Sequence, residues 1–251
     1  QQQATRRTGL GTMGLADALI KMRVAYGSEE SLEAIDRIYR IVRDAAYRES
    51  VTLAEEKGPC GGWRQDPGKY SEGWFIQRLP QDVQEGIREH GIRNGVILTQ
   101  APTGTTSLLA GVSSGIEPVY DFAMKRVDRT GEHILYHPLY QAWRDAHPGE
   151  EKPAYFVGAK DLTPEEHVVV QARIQEYTDS SISKTSNAPH DHTIEDVKRL
   201  YTLAYDLGCK GVTYYRDGSR DAVLSSVTET AKAAAPAAAS VDDGAEAPAV
   251  P

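Results

Sequence analysis

The run Ile97-Leu-Thr-Gln-Ala-Pro-Thr-Gly-Thr-Thr-Ser107 gathers the residue types best suited to chemistry in this chain. Residues 95–99 are β-branched and apolar and read as a buried strand. The chain then meets Pro102 and Gly104, with hydroxyls at Thr103, Thr105, Thr106 and Ser107, before the helix-forming Leu108-Leu-Ala110. A strand, a tight turn and a hydroxyl-rich helix start would present free backbone N–H groups and the positive end of a helix dipole. Such a turn suits a phosphate or diphosphate. It equally suits an ordinary Ser/Thr-capped strand-to-helix turn with no ligand. No Lys-Ser or Lys-Thr pair follows the glycine, so this is not a Walker-type loop built for Mg²⁺-assisted phosphoryl transfer. Binding without hydrolysis is the chemistry on offer. A second hydroxyl-bearing segment, Ser113-Ser-Gly-Ile-Glu-Pro118, follows closely.

The elements that must position this turn alternate between helix and strand. A helix begun near Thr8 continues through Ala16 to Met22. From Ser28 to Lys57, apolar residues at Leu32, Ile35, Ile38, Tyr39, Val42, Ala45, Ala46 and Leu53 keep a helical period. Ser28 with Glu29 and Glu30 makes its capped, acidic first turn, and Gly58-Pro59 stops it. Residues 60–79 lack periodicity and read as a surface loop anchored by Trp63 and Trp74. Pro80 to His90 is a short helix ended by Gly91. Between Val119 and Pro138 a hairpin is expected, turning at Gly131. Thr163-Pro-Glu-Glu166 starts a helix running to about Tyr177. A strand at 181–187, a helix from Thr193 to Leu207 and a strand at 211–215 then make a βαβ unit, which implies parallel strands.

Composition sets outer limits. Hydrophobic residues are 40% of the chain and charged residues 25%, as in soluble globular proteins. No stretch is apolar enough to span a membrane and no signal peptide is visible. The net charge of −8 argues against a nucleic-acid-binding surface. Cys60 and Cys209 have neither metal-ligand nor Cys-x-x-Cys spacing, so a reducing cytoplasm is the expected setting. Residues 223–251 are rich in Ala and Pro and read as a disordered linker or tail. The opening without Met and this closing linker suggest a piece of a longer protein.

Other residues invite functional readings but have plainer ones. His133, His137 and His147 suit surface positions better than a metal site, and His190 and His192 suit a solvated loop. Glu117 reads as part of a structured turn beside the phosphate loop rather than as a general base. Lys184, on a strand beside Thr185, is a candidate contact at the mouth of the fold. Cys209 reads as a packed small residue.

Five segments, in order, carry a specific resemblance: Arg6-Arg-Thr-Gly-Leu-Gly-Thr-Met-Gly-Leu-Ala-Asp17, Ala101-Pro-Thr-Gly-Thr-Thr-Ser107, Ser113-Ser-Gly-Ile-Glu-Pro118, Ser183-Lys-Thr-Ser-Asn187 and Lys210-Gly-Val-Thr-Tyr-Tyr-Arg-Asp-Gly-Ser-Arg220. Over residues 6–220 the chain resembles the C-terminal half of the catalytic barrel of ribonucleotide reductases, specifically the adenosylcobalamin-dependent class. The resemblance implies an α/β fold, the second half of a ten-stranded α/β barrel, with residues 1–222 as an incomplete domain. It implies reduction of ribonucleotides, as diphosphates, by a cysteine thiyl radical initiated from adenosylcobalamin, with a thioredoxin-like or dithiol reductant and a possible homodimer. Pro102, Thr103, Gly104, Thr105, Thr106 and Ser107 correspond to the substrate's diphosphate site. Neither cysteine corresponds to a radical or redox cysteine, so no catalytic residue is expected here and the chain alone is expected to be inactive. Two other readings stand beside this one: a non-catalytic nucleotide-binding regulatory module, and a helical interaction protein built on the 28–57 helix.

Overall fold

A computed structural model describes residues 1–128 and 131–219 together with the two-residue strand Ser225–Ser226. The remainder of the 223–251 tail lies outside the described residues.

Helix α1 (Leu15–Met22) begins at Leu15 rather than near Thr8. Residues 8–12 run extended beside 96–100 instead. The Thr8 amide donates to the Val96 carbonyl and the Leu10 amide to the Ile97 carbonyl, each at 2.9 Å. A Cβ on Gly11 would sit 2.4 Å from the Thr99 carbonyl oxygen. That approach is closed to any other residue, and it outweighs the local helical pattern.

Helix α2 (Glu29–Lys57) follows the sequence closely: the Ser28 side chain accepts the Ser31 amide, and Gly58, at φ 78°, ends it. Its length lets it serve two cores. Leu32, Ile35 and Tyr39 pack with Leu19, Val170 and Ile174. About two turns further on, Tyr47 packs with Ile87, Ile92 and Ile97. Residues 60–79 are not a surface loop. Short helical turns at Gly61–Gln65 and Pro67–Ser71 and a tight turn at Ile76–Arg78 bury Cys60, Ile76 and Leu79. One-turn helices are too short to leave a period in the sequence. Trp63 packs on that second core, whereas Trp74 is exposed under the Arg78 guanidinium. Helix α3 (Gln81–His90) stops at Gly91 as expected.

Ile97 and Leu98 are buried, but single parallel bridges (Leu10 with Leu98, Gln100 with Ile182) replace a full ladder along 95–99. Part of its backbone is served by a side chain. The Asp179 carboxylate accepts the Ile97 amide at 2.8 Å, the Leu98 amide at 2.9 Å and the Tyr47 hydroxyl at 2.6 Å. Burial first, and then this carboxylate, pushes the Tyr47 phenol far above its ordinary value. Asp179→Ala should therefore cost on the order of 3 kcal/mol, because it orphans two buried amides and a hydroxyl. A urea titration checks this, and a midpoint unchanged from wild type would refute it.

Helix α4 (Gly104–Ala110) follows the turn. Strands β1 (Ala123–Asp128) and β2 (Gly131–Tyr136) form the expected hairpin, with Asp128 opposite Gly131. Helix α5 (Pro138–Ala146) packs Tyr140 against Phe122 and Phe156. Helix α6 (Pro164–Gln175) opens with a reciprocal Thr163–Glu166 cap. Strand β3 (Thr185–Ala188), helix α7 (Ile194–Asp206) and strand β4 (Thr213–Arg216) complete the βαβ unit, with Thr185 opposite Thr213 in a parallel pair. Strand β5 (Ser225–Ser226) adds to β1, giving an antiparallel sheet in the order β2-β1-β5.

Taken together, the bridges and the ladder set four segments side by side in parallel: 8–12, 96–100, 182–188 and 213–216. The fold is mixed α/β. Among the described residues this array does not close, and a ten-stranded barrel is not seen.

Candidate functional site in the cleft beside the 102–107 turn

The array delivers residues 96–100 straight into the turn at Thr103. Thr103 is the residue before α4 and sits at φ 52°, ψ 25°, in the left-handed region that β-branched residues avoid. Its strain is held by neighbours. The Thr103 hydroxyl accepts the Gly115 amide at 2.7 Å, and its carbonyl accepts the Ser107 amide at 2.8 Å. The Ser107 hydroxyl, buried, bonds the Gly104 carbonyl and the Ser114 hydroxyl. The 113–118 loop thus clamps the turn, and the loop is itself pinned by the Tyr26 hydroxyl on the Ile116 carbonyl at 2.6 Å. Pro102, Gly104, Thr105 and Thr106 are exposed. No side chain caps α4, so its first amides have no intrahelical partner and are free for a ligand.

Glu117 of the loop, partly exposed, meets the buried Lys184 and, through it, the buried His167. Glu117 accepts the Thr185 amide on Oε1 at 2.7 Å and the Lys184 ammonium on Oε2 at 3.1 Å. Lys184 Nζ also reaches His167 Nδ1 at 2.9 Å and the Thr185 carbonyl at 3.0 Å. An ammonium only donates, so His167 Nδ1 accepts, and its Nε2–H donates to the Ala159 carbonyl at 3.1 Å. Burial, reinforced by the Lys184 charge, pushes the His167 imidazole down to about 3. Burial likewise lowers Lys184, while Glu117 pulls it back up.

The turn and this cluster share a cleft of about 480 Å³ whose walls include Gly104, Ser107, Ser114, Glu117, His137 and Asn187. A neighbouring cleft of about 640 Å³ shares Tyr120, Ala159 and Asn187 with it. On the far wall, His137 Nε2 lies 3.2 Å from the buried Asp17 carboxylate, which also accepts the Ser113 amide. The site can therefore offer amides and hydroxyls to an anion at one end, with a carboxylate and an imidazole beside it.

Sequence comparison decides the family. Residues 1–215 match the family described as "Ribonucleotide reductase, barrel domain". The chain belongs to the ribonucleotide reductase barrel family. It is 37% identical over 238 residues to a vitamin B12-dependent ribonucleoside-diphosphate reductase of Thermoplasma acidophilum, covering 86% of this chain and 29% of that protein. Against the vitamin B12-dependent ribonucleoside-diphosphate reductase of Mycobacterium tuberculosis it is 33% identical over 248 residues, covering 89% and 33%. A ribonucleoside-diphosphate reductase subunit alpha of Treponema pallidum is 29% identical over 232 residues, covering 85% and 25%. The chain thus spans about a third or less of the length of these relatives.

In this reductase barrel segment, Pro102 and Thr103 lead directly into Gly104, Thr105, Thr106 and Ser107, the first turn of α4. Lys184 is 1% exposed and does not line the cleft; it bonds Glu117 and the Thr185 carbonyl, residues that do. His137 is not a surface residue but part of the cleft wall, while His133 is exposed on β2 and His147 stacks on Trp143. His190 bonds the Asp217 carbonyl and His192 the Tyr214 hydroxyl. No group of three or more His, Cys, Asp or Glu side chains among the described residues is placed to hold a metal. Cys60 lies in the second core, and burial pushes the Cys209 thiol up to about 11. No described helix is long and apolar enough to cross a membrane. The residues that sequence reasoning missed are His167 and Asp17. A histidine set before Val168-Val-Val170 on a core helix was the available signal for the first.

Proposed function

We propose that this chain is the substrate-phosphate-holding part of an adenosylcobalamin-dependent ribonucleoside-diphosphate reductase, an enzyme converting ribonucleotides to 2′-deoxyribonucleotides. The observation that carries the reading is the strained Thr103 turn, clamped by the 113–118 loop at the edge of a nucleotide-sized cleft, in a chain of this family. Pro102, Thr103, Gly104, Thr105, Thr106 and Ser107 form the diphosphate seat, with the α4 amides as donors. The four parallel segments are part of the ten-stranded α/β barrel that the whole enzyme would close. Adenosylcobalamin, when bound in the whole enzyme, supplies the radical that starts ribose reduction. The radical and redox cysteines belong to the rest of the enzyme, together with its contact to a thioredoxin-like or dithiol reductant. This segment's own work is to bind and orient: it fixes the phosphate end so that the ribose lies along the cleft.

Gly104→Glu tests the reading. A Cβ at Gly104 meets nothing within 4 Å and its backbone is helical, so the fold tolerates the change. A carboxylate at a helix's first position even favours the helix. The same charge beside the phosphate seat should weaken binding of a nucleoside diphosphate to the full-length reductase by more than about tenfold. Calorimetric titration with unchanged affinity would overturn the assignment.

A further inference from the structure

We propose that Lys184 is a positioning residue of the nucleotide site, acting through Glu117 as the internal counter-charge that lets an anion bind beside a carboxylate. The inference rests on the phosphate seat proposed above. Glu117 lines the same cleft wall as Gly104, Ser107 and Ser114. An uncompensated carboxylate there would repel a diphosphate, and repulsion is strong where water is partly excluded. Lys184 answers this from behind. It is 1% exposed, and its ammonium is shared among Glu117 Oε2, His167 Nδ1 and the Thr185 carbonyl. With those three bonds its donors are spent, so it does not itself reach for a ligand. Packing alone would call for an apolar side chain of that volume, since desolvating an ammonium is costly. What the charge adds is delivered at Glu117. The neutral His167 fits this arrangement, because an accepting Nδ1 holds the ammonium without adding a second charge.

The link runs on into the turn by hydrogen bonds. The Glu117 amide donates to the Ser114 carbonyl at 2.9 Å, Ser114 Oγ meets Ser107 Oγ at 2.8 Å, and the Gly115 amide holds Thr103 Oγ1. Lys184 and Thr185 on the third segment of the parallel array therefore set the loop that shapes the seat.

The test is a titration of the full-length reductase with inorganic pyrophosphate and with a nucleoside diphosphate. Lys184→Met should weaken both by about tenfold or more, and Lys184→Met/Glu117→Gln should return both to within about threefold of wild type. A merely structural lysine predicts the opposite, a double variant no better than the single. If Lys184→Met does not fold, Glu117→Gln alone carries the test: it leaves the cation in excess and should tighten pyrophosphate severalfold. Unchanged affinity in Lys184→Met, a double variant as weak as the single, or unchanged or weaker binding in Glu117→Gln overturns this inference alone. Failure of the wild type to bind either ligand overturns the phosphate seat, and this inference with it.

Discussion

Gly115→Ala should destabilise the protein by about 3 kcal/mol, whereas Gly111→Ala should cost only about 1 kcal/mol, though both glycines are left-handed. Gly115 sits at φ 48° and Gly111 at φ 68°, so a side chain strains the backbone similarly at both. Their surroundings differ. A Cβ at Gly111 meets open space, while at Gly115 it would lie 2.9 Å from the Ala101 carbonyl oxygen and 3.4 Å from that of Pro102. Those carbonyls belong to the backbone entering the turn at Thr103, so relief requires the loop to move away. The Gly115 amide would then release Thr103 Oγ1. Parallel urea titrations of the two variants give the stability difference, and nucleotide affinity should fall in Gly115→Ala alone. Equal losses would mean that close packing of loop on turn contributes little.

Acid should unfold the wild type earlier than a His167→Gln variant. In the unfolded chain the imidazole titrates near 6.5; in the fold, burial and Lys184 hold it at about 3. Between those values the unfolded chain binds a proton that the native one refuses, so native stability drops as pH falls. The contribution is whole above about pH 6.5 and drains away toward pH 3. By about pH 4 the loss from this one group is on the order of 3 kcal/mol. Glutamine can accept from the ammonium and donate to the Ala159 carbonyl without titrating. The difference in unfolding free energy between the two proteins should therefore shift in the variant's favour as pH falls from about 7 to about 4. A constant difference would show that His167 is not held neutral by its surroundings.

What the sequence determined by itself was mostly local. Ser28 capping the first turn of α2, Gly58 ending it, the Thr163–Glu166 cap and the hairpin that sets Asp128 opposite Gly131 arise from interactions within a few residues. Short-range rules therefore read them. The ordered motifs from Arg6 to Arg220 marked the family for a different reason: residue order survives without knowledge of contacts. Tertiary structure decided the rest. It started α1 at Leu15, because the Gly11 backbone presses on the Thr99 carbonyl. It buried Cys60 and Ile76 in a core that one-turn helices do not announce. It put Thr103 into a left-handed conformation that its own residue type disfavours, held by an amide twelve residues away. Above all, it joined Glu117, His167 and Lys184, which share no spacing and meet only through the parallel array. A buried charge is tolerable only where partners converge from separate elements, and that convergence belongs to the packed fold rather than to any stretch of chain.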